Sequence, residues 1–225
     1  SESAPPAAIC VSYGGSATLI GVSYVSEDPD CDGIYVYPTG GIVTIKEGTT
    51  ITSSGVALMA HANQANAVGN SVITVNGGTI EGTIKTEYED GGEYKPEINI
   101  NGGTFVVKDE AGLKAVLNHM SDSAKDVTIQ IANSLDVDEI IRINKPGKRV
   151  GDATNKPTIT GTAQKIFEVY ADADFENLNL VNNADYGRCI DTREPAITVN
   201  IKNCELTATE TYTQPLTIGG SGKDT

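Results

Sequence analysis

The sequence predicts an all-β chain coiled as a parallel solenoid with one short helix closing part of it, and three observations carry that prediction. The stretch Ile73-Thr74-Val75-Asn76-Gly77-Gly78-Thr79-Ile80 returns 25 residues later as Ile98-Asn99-Ile100-Asn101-Gly102-Gly103-Thr104-Phe105. The composition, with 24 Gly, no Trp, 5% aromatic residues and an apolar set dominated by Val and Ile, suits many short strands joined by tight turns. Only one stretch, Asp109 to Met120, has apolar residues at helical spacing.

The opening, Ser1 to Ala8, reads as a linker. It has no basic segment followed by an apolar one, so any secretory signal is already gone or was never there. Two β segments follow, Ala17 to Val25 and Gly33 to Tyr37, joined by a loop that places Glu27, Asp28, Asp30 and Asp32 together. That loop lacks the spacing, central Gly and terminal Glu of an EF-hand, so a solvated acidic turn is expected and no metal site is assigned.

From residue 42 the coils lie over one another: Val43-Thr44-Ile45, then Ile73-Thr74-Val75, then Ile98-Asn99-Ile100. Alternation along a strand sends Val43, Ile73 and Ile98 to one face, where stacking makes an aliphatic column inside the solenoid. Asn76 and Asn101 then meet at a corner, within reach of an amide to amide hydrogen bond. The segment Ala57 to Ala67 fits either a strand with a loop or a short helical turn. Thr86 to Pro96 reads as an acidic loop carrying Tyr88 and Tyr94, rings suited to stacking on a sugar.

Leu113, Val116, Leu117 and Met120 form the stripe of a helix over about 109–121, with Asp109 as its N-cap, and the stripe suits a cap over an exposed solenoid end. A boundary is placed near residue 108, giving a β-rich region 1–108 and a second solenoid, 109–225, that begins with the helix. After it, strands recur over Val127–Ile131, 139–143, 157–161, Lys165–Val169 and 175–181. Phe175 falls over Ile201, Asn177 over Asn203, Leu178 over Cys204 and Leu180 over Leu206, all at a shift of 26. Phe167, Ile190 and Leu216 continue the columns. The end, Gly219 to Thr225, follows a strand with no evident cap and reads as the edge of a piece of a longer protein.

Lys and Arg number 16 against 30 Asp and Glu, a formal charge of −14, which argues against nucleic acid and anionic membranes as partners. No apolar run approaches the length of a bilayer span. Cys10 and Cys31 flank the first β pair and are placed for a disulfide if the strands lie side by side and the protein is exported; Cys204 reads as a small buried residue, and Cys189 and Cys204 as free thiols. None of the four has zinc spacing.

The helix followed by coils such as Ala173-Asp174-Phe175-Glu176-Asn177-Leu178-Asn179-Leu180 resembles the right-handed parallel β-helix superfamily of pectate lyases and pectin esterases. The Asn-Gly-Gly-Thr coils are similar to those of large cell-surface proteins of gut bacteria. The resemblance covers residues 40 to 218 and implies a right-handed parallel β-helix, an extracellular or cell-surface location and polysaccharides as ligands. The catalytic signatures of the superfamily, an Asn-Thr-Asp strand with a Gly-His-Gly turn or a Gln-Asp-Thr-Leu-Tyr stretch, are missing.

The cluster with most chemistry is Asp185 to Glu194, and within it Tyr186, Arg188, Asp191 and Arg193 are the candidate ligand-binding residues, with Tyr88 and Tyr94 elsewhere. A lyase acting on acidic sugars needs a cation for the uronate carboxylate and a base for the C5 proton. Arg188 and Asp191, three apart, face opposite ways on a straight strand, while Asp191 and Arg193 share a face. His61 and His119 have no partner residue nearby in sequence and read as structural or solvated. No catalytic residue, metal or cofactor is assigned. The expected function is a non-catalytic surface module that binds carbohydrate or displays an adhesive face toward a glycan or a host or cell-surface protein. The alternatives are a polysaccharide lyase or glycoside hydrolase, and a bare spacer.

Overall fold

The computed structural model describes residues 6–62, 65–88 and 92–219. The chain divides into two compact units, one comprising the residues to Val106 with Asn118–Ser123, the other Val107–Leu117 with the residues from Ala124 onward. Each is a parallel β-solenoid.

In the first unit the strands are β1 (Ala7–Val11), β2 (Gly15–Leu19), β3 (Ser23–Ser26), β4 (Asp32–Val36), β5 (Gly41–Ile45), β6 (Thr50–Ala62), β7 (Ser71–Val75), β8 (Thr79–Tyr88), β9 (Pro96–Ile100) and β10 (Gly103–Val107). One sheet runs β2-β5-β7-β9; another runs β1-β4-β6-β8-β10, with β3 also on β6. Every pairing is parallel, and Val43, Ile73 and Ile98 stand in one column, as the repeat requires. A second column holds Tyr24, Ile51, Ile80 and Phe105. Side chains such as Val43, Ile51 and Ile73 are fully buried, each stabilising the fold by about 1.5–3 kcal/mol relative to exposure.

At the corner Asn101 Nδ2 donates to Asn76 Oδ1 over 2.8 Å. Gly78, at φ 88°, has the carbonyl of Thr49 only 2.5 Å from where a Cβ would sit, so the coils close up there only on glycine. The run Ala17 to Val25 proves to be two strands, because Gly21 at φ 65° bends the chain between β2 and β3. Ala57–Ala62 extends β6 and is not helical, and all of it but His61 is buried between β4 and β8; Asn63 and Gln64 lie outside the described residues. Cys10 and Cys31 are free thiols, since Cys10 stands opposite Tyr35, four places beyond Cys31. The acidic loop is solvated at Glu27, Asp28 and Asp30, but Asp32 is buried, so the solvated reading fails for its last residue.

The helix α1 (Glu110–His119) starts as expected, with Asp109 Oδ1 accepting from the Gly112 N–H over 2.7 Å. Leu113 and Val116 are buried, and Lys114 ties the helix to Glu139 over 2.9 Å.

The second unit has three strands to a coil: β11 (Val127–Ile131), β12 (Leu135–Val137), β13 (Ile141–Ile143), β14 (Gly147–Val150), β15 (Thr158–Gly161), β16 (Lys165–Val169), β17 (Ala173–Glu176), β18 (Asn179–Asn182), β19 (Arg188–Thr192), β20 (Val199–Lys202), β21 (Glu205–Ala208) and β22 (Leu216–Thr217). They form the series β11-β14-β17-β20, β12-β15-β18-β21 and β13-β16-β19-β22. Phe175 pairs with Ile201, Leu180 with Leu206, and Phe167 with Ile190 and Ile190 with Leu216. Asn177 and Asn203 turn the corner at φ 59° and 53°, a conformation Asn tolerates better than bulkier residues, and their amides bond over 2.7 Å. Cys189 is buried and Cys204 only half-buried, which corrects the expectation for Cys204: it lies beside β21, the last strand of its series, which β18 covers on one side only. Both are free thiols.

Candidate functional site

The turn between β18 and β19 is built on Asn182, whose side chain is fully buried. Its Nδ2 donates to the carbonyls of Ala163 (3.0 Å) and Arg188 (2.9 Å), and its Oδ1 accepts from the Ala184 N–H (2.8 Å). A Cβ at Gly187 would lie 2.3 Å from that same Oδ1, so the turn tightens against the amide and throws Tyr186 outward. Tyr186 takes φ 58° and is 60% exposed. One coil on, Tyr212 takes φ 59° and is 77% exposed, and the two rings stack 5.6 Å apart at 12°. The Tyr186 N–H donates to the Thr211 carbonyl over 3.4 Å, and Thr209 Oγ1 donates to Asn183 Oδ1 over 3.1 Å, locking the two turns together. A left-handed backbone costs a bulky residue roughly 1–2 kcal/mol, and here neither ring recovers that by burial.

Two residues past Tyr186 begins a charged network. Inward-facing Ile141, Phe167 and Ile190 leave Arg142, Glu168, Asp191 and Thr217 in one outward column on β13, β16, β19 and β22. Lys165 Nζ bridges the two carboxylates, 2.8 Å from Glu168 and 3.0 Å from Asp191. Arg193 Nε bridges them again at 3.0 and 3.1 Å. Arg142 Nε approaches Glu168 at 3.3 Å, and Arg188 Nη1 approaches Asp191 at 3.5 Å. Asp191 Oδ2 thus has three cations around it and no aligned N–H, so charge and not directional bonding holds it. Burial by itself raises the Glu168 carboxyl; the Lys165 ammonium, the Tyr170 hydroxyl and Arg193 overturn that and hold it at about 2. So strong an acid makes a poor proton acceptor near neutrality.

The structure brings Arg188, Asp191 and Arg193 together, while Tyr186 stands in the turn two residues before Arg188 and pairs with Tyr212. Arg188 and Asp191 meet although three apart, because Arg188 stands at the strand's first position, where the chain is still leaving the turn. Tyr88 ends β8 and is not in a loop; its hydroxyl donates to the Gly92 carbonyl over 2.9 Å. Tyr94 is half-buried, and Glu89, Asp90 and Gly91 lie outside the described residues. His61 Nδ1 is 3.0 Å from the Tyr35 hydroxyl and 3.8 Å from Glu87, and burial pushes the Tyr35 hydroxyl up to about 12. His119 is lowered by burial, against a backbone hydrogen bond at Ile98. Among the described residues no three His, Cys, Asp or Glu groups are gathered for a metal ion.

Sequence reasoning missed Tyr212, Lys165, Glu168 and Asn182. The signal for two of them was present: Tyr212 follows Tyr186 at the period that pairs Asn177 with Asn203, and pairing Phe167 with Ile190 sets Glu168 beside Asp191. Fold and site together define a parallel β-solenoid bearing an exposed tyrosine pair beside a charged ladder. A scan against protein-family models finds no match, and neither does a search of curated proteins or of solved structures. Among the described residues no helix is long and apolar enough to cross a membrane.

Proposed function

We propose that this chain is a non-catalytic, extracellular or cell-surface module that binds glycans, with the Tyr186 and Tyr212 rings as its sugar platform and Arg188 at the platform's edge. The observation that carries the reading is the exposed stacked pair on left-handed backbone: strain kept at a surface position, with no burial to offset it beyond the rings' contact with each other, is what a binding side chain displays. The apolar C–H faces of a pyranose pack on such rings while their hydroxyl groups bond the sugar's own. A right-handed, pectin-lyase-like coil and the Asn-Gly-Gly-Thr likeness to gut-bacterial surface proteins belong to the same reading. Screening the chain on a glycan array and titrating the best ligand tests it. Tyr186→Ala and Tyr212→Ala are each expected to weaken binding about tenfold, equivalent to roughly 1.4 kcal/mol, with Phe at either place losing less. An array with no ligand leaves only a spacer, and alanine variants that bind as the wild type does rule out the tyrosine pair as the platform.

The second reading, a lyase or hydrolase acting on acidic polysaccharide, draws on the excess of cations over carboxylates in the Lys165 to Arg193 network. The low basicity of Glu168 counts against it. Polyuronate cleavage by the wild type that disappears in Asp191→Asn and Arg193→Ala is the result that favours the enzyme.

A further inference from the structure

Arg149 stands where the repeat calls for an aliphatic side chain. In β14 it pairs with Ile129 on one side and Phe175 on the other, and Phe175 pairs onward with Ile201, so the guanidinium lies in an inward column and is 0% exposed. Nη1 donates to the Gly147 carbonyl over 2.6 Å. Nε and Nη2 are buried and have no hydrogen-bond partner. Those two nitrogens form one edge of the planar guanidinium, the edge that grips an anion with two parallel N–H donors. The acid nearest in effect, Asp174, stands in the outward register opposite Lys148 and accepts from Asn200 over 2.8 Å, so it does not reach inside. The neighbouring inward positions are Gly147 and Ala173, which together supply one methyl group to that section of the interior.

An uncompensated ion in a low-dielectric interior costs several kcal/mol, and Arg does not escape by losing its proton as Lys does. Burial lowers the Arg149 guanidinium only to about 10, so it is charged at neutral pH. A water molecule satisfies an N–H and leaves the charge in place, whereas an anion satisfies the N–H groups and cancels the charge. The geometry points to a buried site for one small monovalent anion of halide size inside the second unit, gripped by the Nε and Nη2 edge of Arg149. The site has a structural role and is independent of glycan binding.

The test is thermal and urea unfolding of the full chain at fixed ionic strength, with sodium chloride or bromide exchanged for sodium gluconate so that screening stays constant. Above the dissociation constant, each tenfold rise in halide is expected to raise the folding equilibrium constant about tenfold. Arg149→Met is expected to fold without halide dependence. Crystals grown in bromide should show an anomalous peak on the Nε and Nη2 edge. Unfolding of the wild type that ignores halide overturns the proposal, and so does a bromide peak unaccompanied by halide-dependent stability. If Arg149→Met fails to fold, the wild-type titration and the bromide map decide between the same two results.

Discussion

At neutral pH the side chain of Asp32 sits where a carboxylate is least welcome. It is 5% exposed, and Oδ2 is buried without a hydrogen-bond partner. Burial raises its carboxyl above the usual range, Lys85 lowers it and Glu87 raises it again. A carboxyl raised on folding contributes most to stability below its unfolded value of about 3.9, and that contribution is lost as pH climbs through the folded value. Asp32→Asn removes the buried charge and keeps the shape. The variant is expected to gain about 1–2 kcal/mol at pH 7, where it spares the fold the desolvation of a buried charge, and to gain nothing at pH 3, where that charge is already neutralised. Urea melts at the two pH values check this, and equal effects at both would show that charge is not the cause. Arg149 and Asp32 share a lesson about reading residues singly. Gly147-Lys148-Arg149-Val150 looks like an ordinary polar strand, and only its register against Ile129 and Phe175 reveals a cation in the core.

Among the elements, β16 and β19 are bound to each other by charge as well as by backbone. Glu168, held at about 2, shows the opposite sign from Asp32: its contribution is present above the unfolded value of about 4.3 and is lost as pH falls through the folded one. Acid unfolding of the wild type is therefore expected to steepen between about pH 4 and pH 2. Glu168→Gln leaves Lys165 and Arg193 with one carboxylate fewer and is expected to cost about 3–5 kcal/mol at pH 7, as breaking a buried ion pair does, while flattening that acid slope. Circular dichroism melts across the pH range read both effects; a variant as acid-sensitive as the wild type would clear Glu168 of the role. The columns were legible at this scale because equal spacing announces itself. Of the network only the meeting of Glu168 with Asp191 could be read, from Phe167 over Ile190; Lys165 and Arg193 share no motif with them and join only once the coils are stacked. Tyr186 was visible as an aromatic in a charged stretch. Its partner Tyr212 was legible only through the coil period that also pairs Asn177 with Asn203, since the two rings share no local motif and meet through the turn that Asn182 organises.

On the scale of the molecule, what the sequence offers most plainly is repetition, and repetition also governs how stability is distributed. A coil in a parallel solenoid touches the coil before it and the coil after it, so stability is close to a sum of coil and nearest-neighbour contributions. In the second unit the column Leu135, Ile159, Leu180 and Leu206 tests that with chemistry held nearly constant. Ile159 is fully buried between two coils, whereas Leu206, on the last strand of its series, is half-buried. Ile159→Ala is expected to cost about 2–5 kcal/mol, and Leu206→Ala clearly less, since surface is lost on one side only. Hydrogen exchange should separate them further. Ile159→Ala should lower amide protection in β12 and β18 as well as in β15, and Leu206→Ala should lower it in β21 and β18 while leaving β12 unchanged. Equal costs, or protection lost uniformly from β11 to β22, would mean that the unit unfolds as one cooperative block and that position along the column carries no weight.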